Sequence, residues 1–182
     1  MTTHNDNDLQ RRLADPRECR TAFAEVVAQY SEPLYWKVRR IVLNHDDAND
    51  IMQNVFLKAW NSLGDFQSRS KVSTWLYRIA INEALDFVRH QKKRQGVSAD
   101  EDLTVANKLL ADEYFDGDQT EAMLQEAISQ LPEVQRAVFN LRYYDEMKYS
   151  EMSAILNTSE GALKASYHIA VKKITEVFNA RE

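Results

Sequence analysis

The amino-acid sequence predicts an all-α protein made of two small helical modules joined by an acidic linker. Three observations carry this. Gly and Pro together number 7 of 182 residues, about a third of their usual ~12% share, and so little punctuation favours long helices over turn-rich β architecture. Apolar residues recur with helical spacing on both sides of residues 95–119. Charge is segregated: residues 20–95 hold 12 basic and 8 acidic side chains, whereas 96–133 hold one Lys and ten carboxylates. A hydrophobic content of 44% is enough for true cores, and the net charge of -5 conceals the basic first module.

Residues 1–19 are polar and are expected to fray without a role. The stretch Met1 to Arg12 has no apolar core for a signal peptide, charges interrupt every apolar run, and Cys19 has no partner for a disulfide. A cytoplasmic protein that does not insert into a membrane is the expectation. The first module, 20–94, opens with Phe23, Val26, Val27, Tyr30, Leu34, Val38, Ile41 and Val42 on one helical face, and Pro33 either kinks that helix or starts a second one. Ala48, Ile51, Met52, Val55, Phe56, Ala59, Trp60 and Leu63 form the next stripe, with Asp47 at its front and Gly64 past its end. The opposite face carries Asp50, Gln53, Asn54 and Leu57, an apolar side chain among acids and amides. It reads either as a docking surface or as a solvated face with one stray Leu.

A polar, basic loop then leads from Phe66 to Lys71, and a helix from about Val72 to Lys93 places Trp75, Leu76, Ile79, Ala80, Glu83, Phe87 and Val88 inward. Trp75, Tyr77 and Arg78 lie together, and Arg89, Lys92, Lys93 and Arg94 crowd the far end. Cations that neutralise phosphates beside rings that stack on bases are the usual means of holding a single strand. The alternative is that the rings are core and the terminal cations complement the helix dipole.

The linker, 95–119, is either a solvated spacer or a nucleic-acid mimic lying in a partner's basic channel. In the second module, 120–182, Leu124 to Leu131 and Val134 to Tyr144 form two amphipathic helices divided by Pro132. Ser150 is expected to cap a short helix to Leu156, Asn157-Thr158-Ser159 to turn, and a longer helix to run from Glu160 to about Phe178. Short helix, tight turn and longer helix is the helix-turn-helix pattern. The residues that would meet the major groove are Ser159, Glu160, Ala162, Lys164, Ala165, Ser166 and His168, with Lys172 and Lys173 on backbone. So few cations predict weak binding by this module alone.

Two stretches of the first module carry a specific resemblance. Asp47 to Trp60 (DANDIMQNVFLKAW) and Ser73 to Asn82 (STWLYRIAIN) resemble the extracytoplasmic-function group of bacterial RNA polymerase sigma factors. Leu131-Pro132 with Gln135-Arg136, then Tyr149 to Met152 and Gly161 to Ser166, resemble the second sigma domain in the same order. The resemblance implies a polymerase subunit that recognises promoters and helps open them, with no catalytic residue, metal or cofactor. It implies that Asp47, Asp50, Gln53, Asn54 and Leu57 grip the clamp helices of the largest polymerase subunit. It further implies that Ser68, Arg69, Lys71, Thr74, Trp75, Arg78 and Asn82 capture a flipped base of the −10 element, while Arg89, Lys92 and Lys93 hold backbone. The second module would read the −35 element as duplex and meet the polymerase flap, the linker would thread toward the polymerase channels, and an anti-sigma protein would be an inhibitory partner. Ile169-Ala170-Val171 and Ala162 depart from the family pattern, which bears on the distant-element contacts.

Outside that family, the residues fit an autonomous helix-turn-helix regulator, distinguished by independence from polymerase. A helical enzyme lacks support: His4, His45, His90 and His168 are scattered, and no phosphate loop or metal-ligand spacing occurs.

Overall fold

The computed structural model describes residues 3–66, 70–95 and 117–180. Among them, every regular element is helical: α1 (Thr3–Ala14), α2 (Cys19–Val42), α3 (His45–Asn61), a 3-10 turn (Leu63–Asp65), α4 (Val72–Gln95), α5 (Gln119–Ser129), α6 (Glu133–Tyr143), α7 (Tyr149–Leu156) and α8 (Glu160–Asn179). Ser68, Arg69 and most of the acidic linker lie outside the described residues.

The first module is built on α2, α3 and α4. Val26, Leu34, Val38 and Ile41 of α2 meet Ile51 and Val55 of α3 and Leu76 and Ile81 of α4, all almost fully buried. Pro33 neither ends nor divides α2, which runs unbroken to Val42. Its missing N–H costs one ladder bond, and the buried stripe on either side outweighs that cost. The helix closes on Leu43, whose φ of 64° is left-handed and whose N–H reaches the Arg39 carbonyl. Asn44 then starts α3 by accepting the Asp47 N–H at 2.9 Å, and Asp46 and Asp47 stand in the positive first turn.

The N-terminal residues correct the expectation of a frayed start. α1 buries Leu9 and Leu13 in the same core. Arg12 pins it with a bidentate pair to Glu25 at 2.8 and 2.7 Å and a bond to Glu18 at 3.1 Å. That partnership draws the Glu25 carboxyl below its ordinary pKa.

In the second module α8 is the central strut, packed by α5, α6 and α7. Ala127, Ile128, Leu131, Phe139, Ala170 and Ile174 form its own core. Asn157, with φ 50°, makes the tight turn between α7 and α8, and Ser159 caps α8 by accepting the Ala162 N–H at 3.3 Å. Ser150 does not cap α7. It lies inside the first turn, and the Glu151 carboxylate instead accepts the Lys148 N–H at 3.2 Å.

The two modules are packed together. α6 lies against α2 and α4, and α7 lies against α4. The larger core runs without interruption from the first module into Ala137, Val138, Leu141, Met152, Ile155 and Leu163 of the second.

Candidate nucleic-acid interface

On α3, Asp50, Gln53, Asn54 and Leu57 are all exposed and share one face by their spacing. Leu57 is 61% exposed, the most open of the large apolar side chains among the described residues. Asp47 is half-buried at the head of this face. Burial, then the neighbouring Asp50 and Asp46, raise its carboxyl above the ordinary pKa, so the face carries a concentrated negative charge that a cationic partner would relieve.

Along α4, Arg78, Asn82, Arg89 and Lys93 are exposed and recur on one helical face, with Lys71 exposed just before the helix and Lys92 beside it. Thr74 is half-buried near the start. Trp75, expected to stack on a base, stacks on Phe66, with centroids 4.6 Å apart and planes at 28°. In this arrangement its ring completes a protein stack. Tyr77 belongs to the interior: burial, with Tyr30, Asp145 and Glu151 nearby, pushes its phenol up to about 12, and the Lys37 ammonium lies 4.7 Å from its ring centre.

Several of these cations face the second module. Arg78 donates to the Ala154 carbonyl of α7 at 2.6 Å. Arg89 and Lys92 reach the Glu133 carboxylate at the start of α6, at 3.4 and 3.3 Å. The seam continues with Lys37, which is buried and pairs with Asp145 at 3.0 Å, and with Arg40, 3.6 Å from the same carboxylate. Two carbonyls left open by the end of α2 are served from across the seam: Arg136 donates to Ile41 at 2.9 Å and Asn140 to Arg40 at 3.1 Å. The second module thus caps a helix of the first.

On α8, Ser159, Glu160, Ala162, Lys164, Ala165, His168, Lys172 and Lys173 are exposed, and Ser166 is half-buried. Lys173 Nζ donates to Gln135 at 3.1 Å, and Lys164 lies 5.6 Å from the Tyr149 ring centre. Ile169 and Val171 are also exposed, 44% and 37%, so the stretch that departs from the family pattern presents apolar groups to solvent. Among the described residues no cluster of His, Cys, Asp and Glu could hold a metal, and no helix is long and apolar enough to cross a membrane.

The sigma-70 region 2 family matches residues 26–94, and the sigma-70 region 4 family matches 121–174. The ECF RNA polymerase sigma factor SigW of Bacillus subtilis is 33% identical over 156 residues, covering 81% of this chain and 83% of its own. The chain belongs to the extracytoplasmic-function sigma factors. The RNA polymerase sigma-H factor of Pseudomonas aeruginosa is 28% identical over 198 residues, spanning 100% of this chain and 93% of its own. The fold is that of CnrH bound to the cytosolic domain of CnrY, with a TM-score of 0.70 at 22% identity over 97% of this chain and 99% of that one. RpoE of Bartonella quintana, in complex with the anti-sigma factor NepR, gives 0.68 at 20% identity, covering 88% and 98%. This sigma factor therefore serves RNA polymerase in transcription initiation, and the autonomous-regulator alternative is not favoured.

Sequence reasoning overlooked the residues that join the modules: Glu133, Arg136, Asn140 and Asp145. Their charges and amides were visible, but each partner lies more than 40 positions away. No local spacing announces such a pair. Gln10, whose Nε2 donates to the Ser70 carbonyl at 2.9 Å, was overlooked for the same reason.

Proposed function

We propose that this sigma factor divides its work between the surfaces described. Residues 20–94 engage core polymerase and the near promoter element, 120–182 read the distant element, and 95–119 thread between them toward the polymerase channels. Asp47, Asp50, Gln53, Asn54 and Leu57 grip the clamp helices of the largest subunit, where acids and amides suit a basic coiled coil and Leu57 supplies an apolar anchor. Lys71, Thr74, Trp75, Arg78 and Asn82, with Ser68 and Arg69 of the loop, hold the flipped base, and Arg89, Lys92 and Lys93 hold backbone. On α8, Ser159, Glu160, Ala162, Lys164, Ala165, Ser166 and His168 face the major groove, with Lys172 and Lys173 on phosphates. The factor acts in the cytoplasm by binding and placement, without catalytic chemistry, and an anti-sigma protein is its inhibitory partner, as NepR is for its Bartonella neighbour.

The supporting observation is the single face of α4 on which Arg78, Asn82, Arg89 and Lys93 stand exposed. Because Arg78, Arg89 and Lys92 also touch the second module, polymerase and promoter must separate the modules as they engage. The isolated protein is then a poor promoter binder. The test is transcription by purified core polymerase on fragmented genomic DNA, with and without the protein, with start sites mapped. Discrete new starts sharing an upstream motif are expected. An unaffected core polymerase that does not co-purify with the protein would refute the assignment of surfaces.

A further inference from the structure

The two flanks of the open surface of α8 differ in chemistry. On one, Lys164 and His168 stand a turn apart and offer polar groups. On the other, Ala162, Ala165 and Ile169 follow one another at intervals of three and four and offer only carbon. All five are exposed, and Ile169, the largest of the apolar three, is 44% exposed. A single exposed apolar side chain is ordinary. Val171 is of that kind, because by spacing it stands beside Tyr167 and Phe178, which pack on the core of the second module. Ile169 differs. Of the side chains one turn from it, Ala165, Lys172 and Lys173 are exposed and Ser166 is half-buried, so on its own helix it extends no buried stripe. It is an apolar group set among cations on the helix whose exposed face is offered to DNA.

We propose that Ile169 is a specificity-determining residue and that this flank of α8 reads thymine in the distant promoter element through its C5-methyl group. The inference rests on the reading that α8 lies in the major groove of that element. Thymine presents a methyl group there, whereas guanine and adenine present only hydrogen-bonding edges. An apolar side chain pressed on the methyl removes hydrocarbon from water on both partners. Pressed on a purine edge, it strips water from acceptors and donors and gives no bond in return. Discrimination therefore has an attractive and a repulsive part. Ala162 and Ala165 add little bulk ahead of Ile169, so the helix can come close enough for the branched side chain to meet a base edge. From Ala162 to Ile169 the helix rises about 10.5 Å, close to three base steps of about 3.4 Å each. The flank thus matches a short run of base pairs that includes at least one thymine, with Lys172 and Lys173 placed just beyond it for the phosphates.

The test uses the full-length chain with core polymerase on the promoters found by start-site mapping. Each thymine of the distant element is replaced in turn by deoxyuridine, which keeps the base pair and lacks only the methyl group, and holoenzyme affinity is titrated on both templates. At one thymine or more, deoxyuridine should weaken binding about fourfold, the change expected when one methyl-sized group is no longer buried. In Ile169→Ala the ratio between the two templates should fall toward one, with the melting temperature unchanged because the side chain is exposed. Ile169→Val, still branched and apolar, should keep most of the ratio. Equal affinities for the two templates at every thymine overturn the proposal, as does a distant element without thymine. A deoxyuridine defect that Ile169→Ala leaves intact overturns it too. Scrambling the whole distant element separates these failures from that of the underlying reading. If scrambling weakens binding while deoxyuridine does not, only the methyl contact has failed; if scrambling has no effect, α8 does not read that element and both have failed.

Discussion

Arg136 is a charged side chain at 5% exposure whose guanidinium meets, among the described residues, only carbonyls: Ile41 at 2.9 Å, Leu131 at 3.4 Å and the Ser129 oxygen. Its Nε has no partner, and burial lowers its pKa. No carboxylate bonds this buried cation, though Glu133 is near enough to favour its charge, and its removal leaves carbonyl acceptors unpaired on both sides of the seam. Arg136→Met should cost about 1–3 kcal/mol in urea unfolding; an unchanged midpoint would show that water already serves those carbonyls. Leu57 is the opposite case. It packs on nothing that folding needs, so Leu57→Asp should leave stability within about 0.5 kcal/mol. The same change should weaken core-polymerase binding at least about tenfold if Leu57 is an interface anchor. Equal affinity in a pull-down titration would return Leu57 to the status of a stray exposed side chain. These contrasts mark the limit of pattern reading: helical spacing put Leu57 on the outer face, but it contained nothing that foretold which carbonyls Arg136 would meet.

At the scale of elements, legibility followed apolar density. The helix over α3 carries Ala48, Ile51, Met52, Val55 and Ala59 on one stripe and was readable in the sequence. α1 has only Leu9 and Leu13 as large apolar side chains in twelve residues rich in Asn and Asp, so its pattern looked like a polar tail. Its order comes from outside, through the core beneath and the Arg12 clamp, which is tertiary context overriding weak local propensity. Of the two readings of Pro33, a second helix starting there is the one the structure excludes, because the packing of Val26, Leu34 and Val38 on both sides keeps α2 continuous. If α1 belongs to the core, Leu9→Ala and Leu13→Ala should each cost about 2 kcal/mol or more, the range for large-to-small changes at buried sites. Denaturant midpoints measure this. Losses close to zero for both would restore the frayed N-terminus.

For the whole molecule, the seam decides whether this sigma factor is closed when free. Two sets of ion pairs cross it, and they differ in strength. Arg89 and Lys92 are about half exposed where they reach Glu133, so those contacts are screened by solvent and salt. Lys37 is 8% exposed and Asp145 16%, so their 3.0 Å pair is the stronger restraint. Asp145→Asn would strand the Lys37 ammonium in the seam, and the cheapest relief is for the modules to part. With Cys19 replaced by Ser and labels on cysteines at the exposed Asn61 and Thr175, pulsed electron resonance should give a longer, broader distance distribution for Asp145→Asn than for the otherwise unchanged protein. Matching distributions would mean that the apolar seam alone keeps the modules together. Acid should act in the same direction through Glu133, whose carboxyl lies below its usual 4.5 because its own backbone N–H, then Lys92 and Arg89, favour the ionised form. The backbone bond persists when the modules part, so only the Lys92 and Arg89 share of that depression is linked to closure; it is fully present above about 4.5 and is lost as pH falls through the lower value of the closed form. The closed population should therefore be insensitive to Glu133 between pH 6 and 8 and should decline only in stronger acid, and Glu133→Gln should abolish that part of the acid response. Such a seam ties up cations proposed to hold DNA while leaving the Leu57 face of α3 exposed; if that face is the polymerase contact, as proposed, the polymerase could engage it before the modules separate.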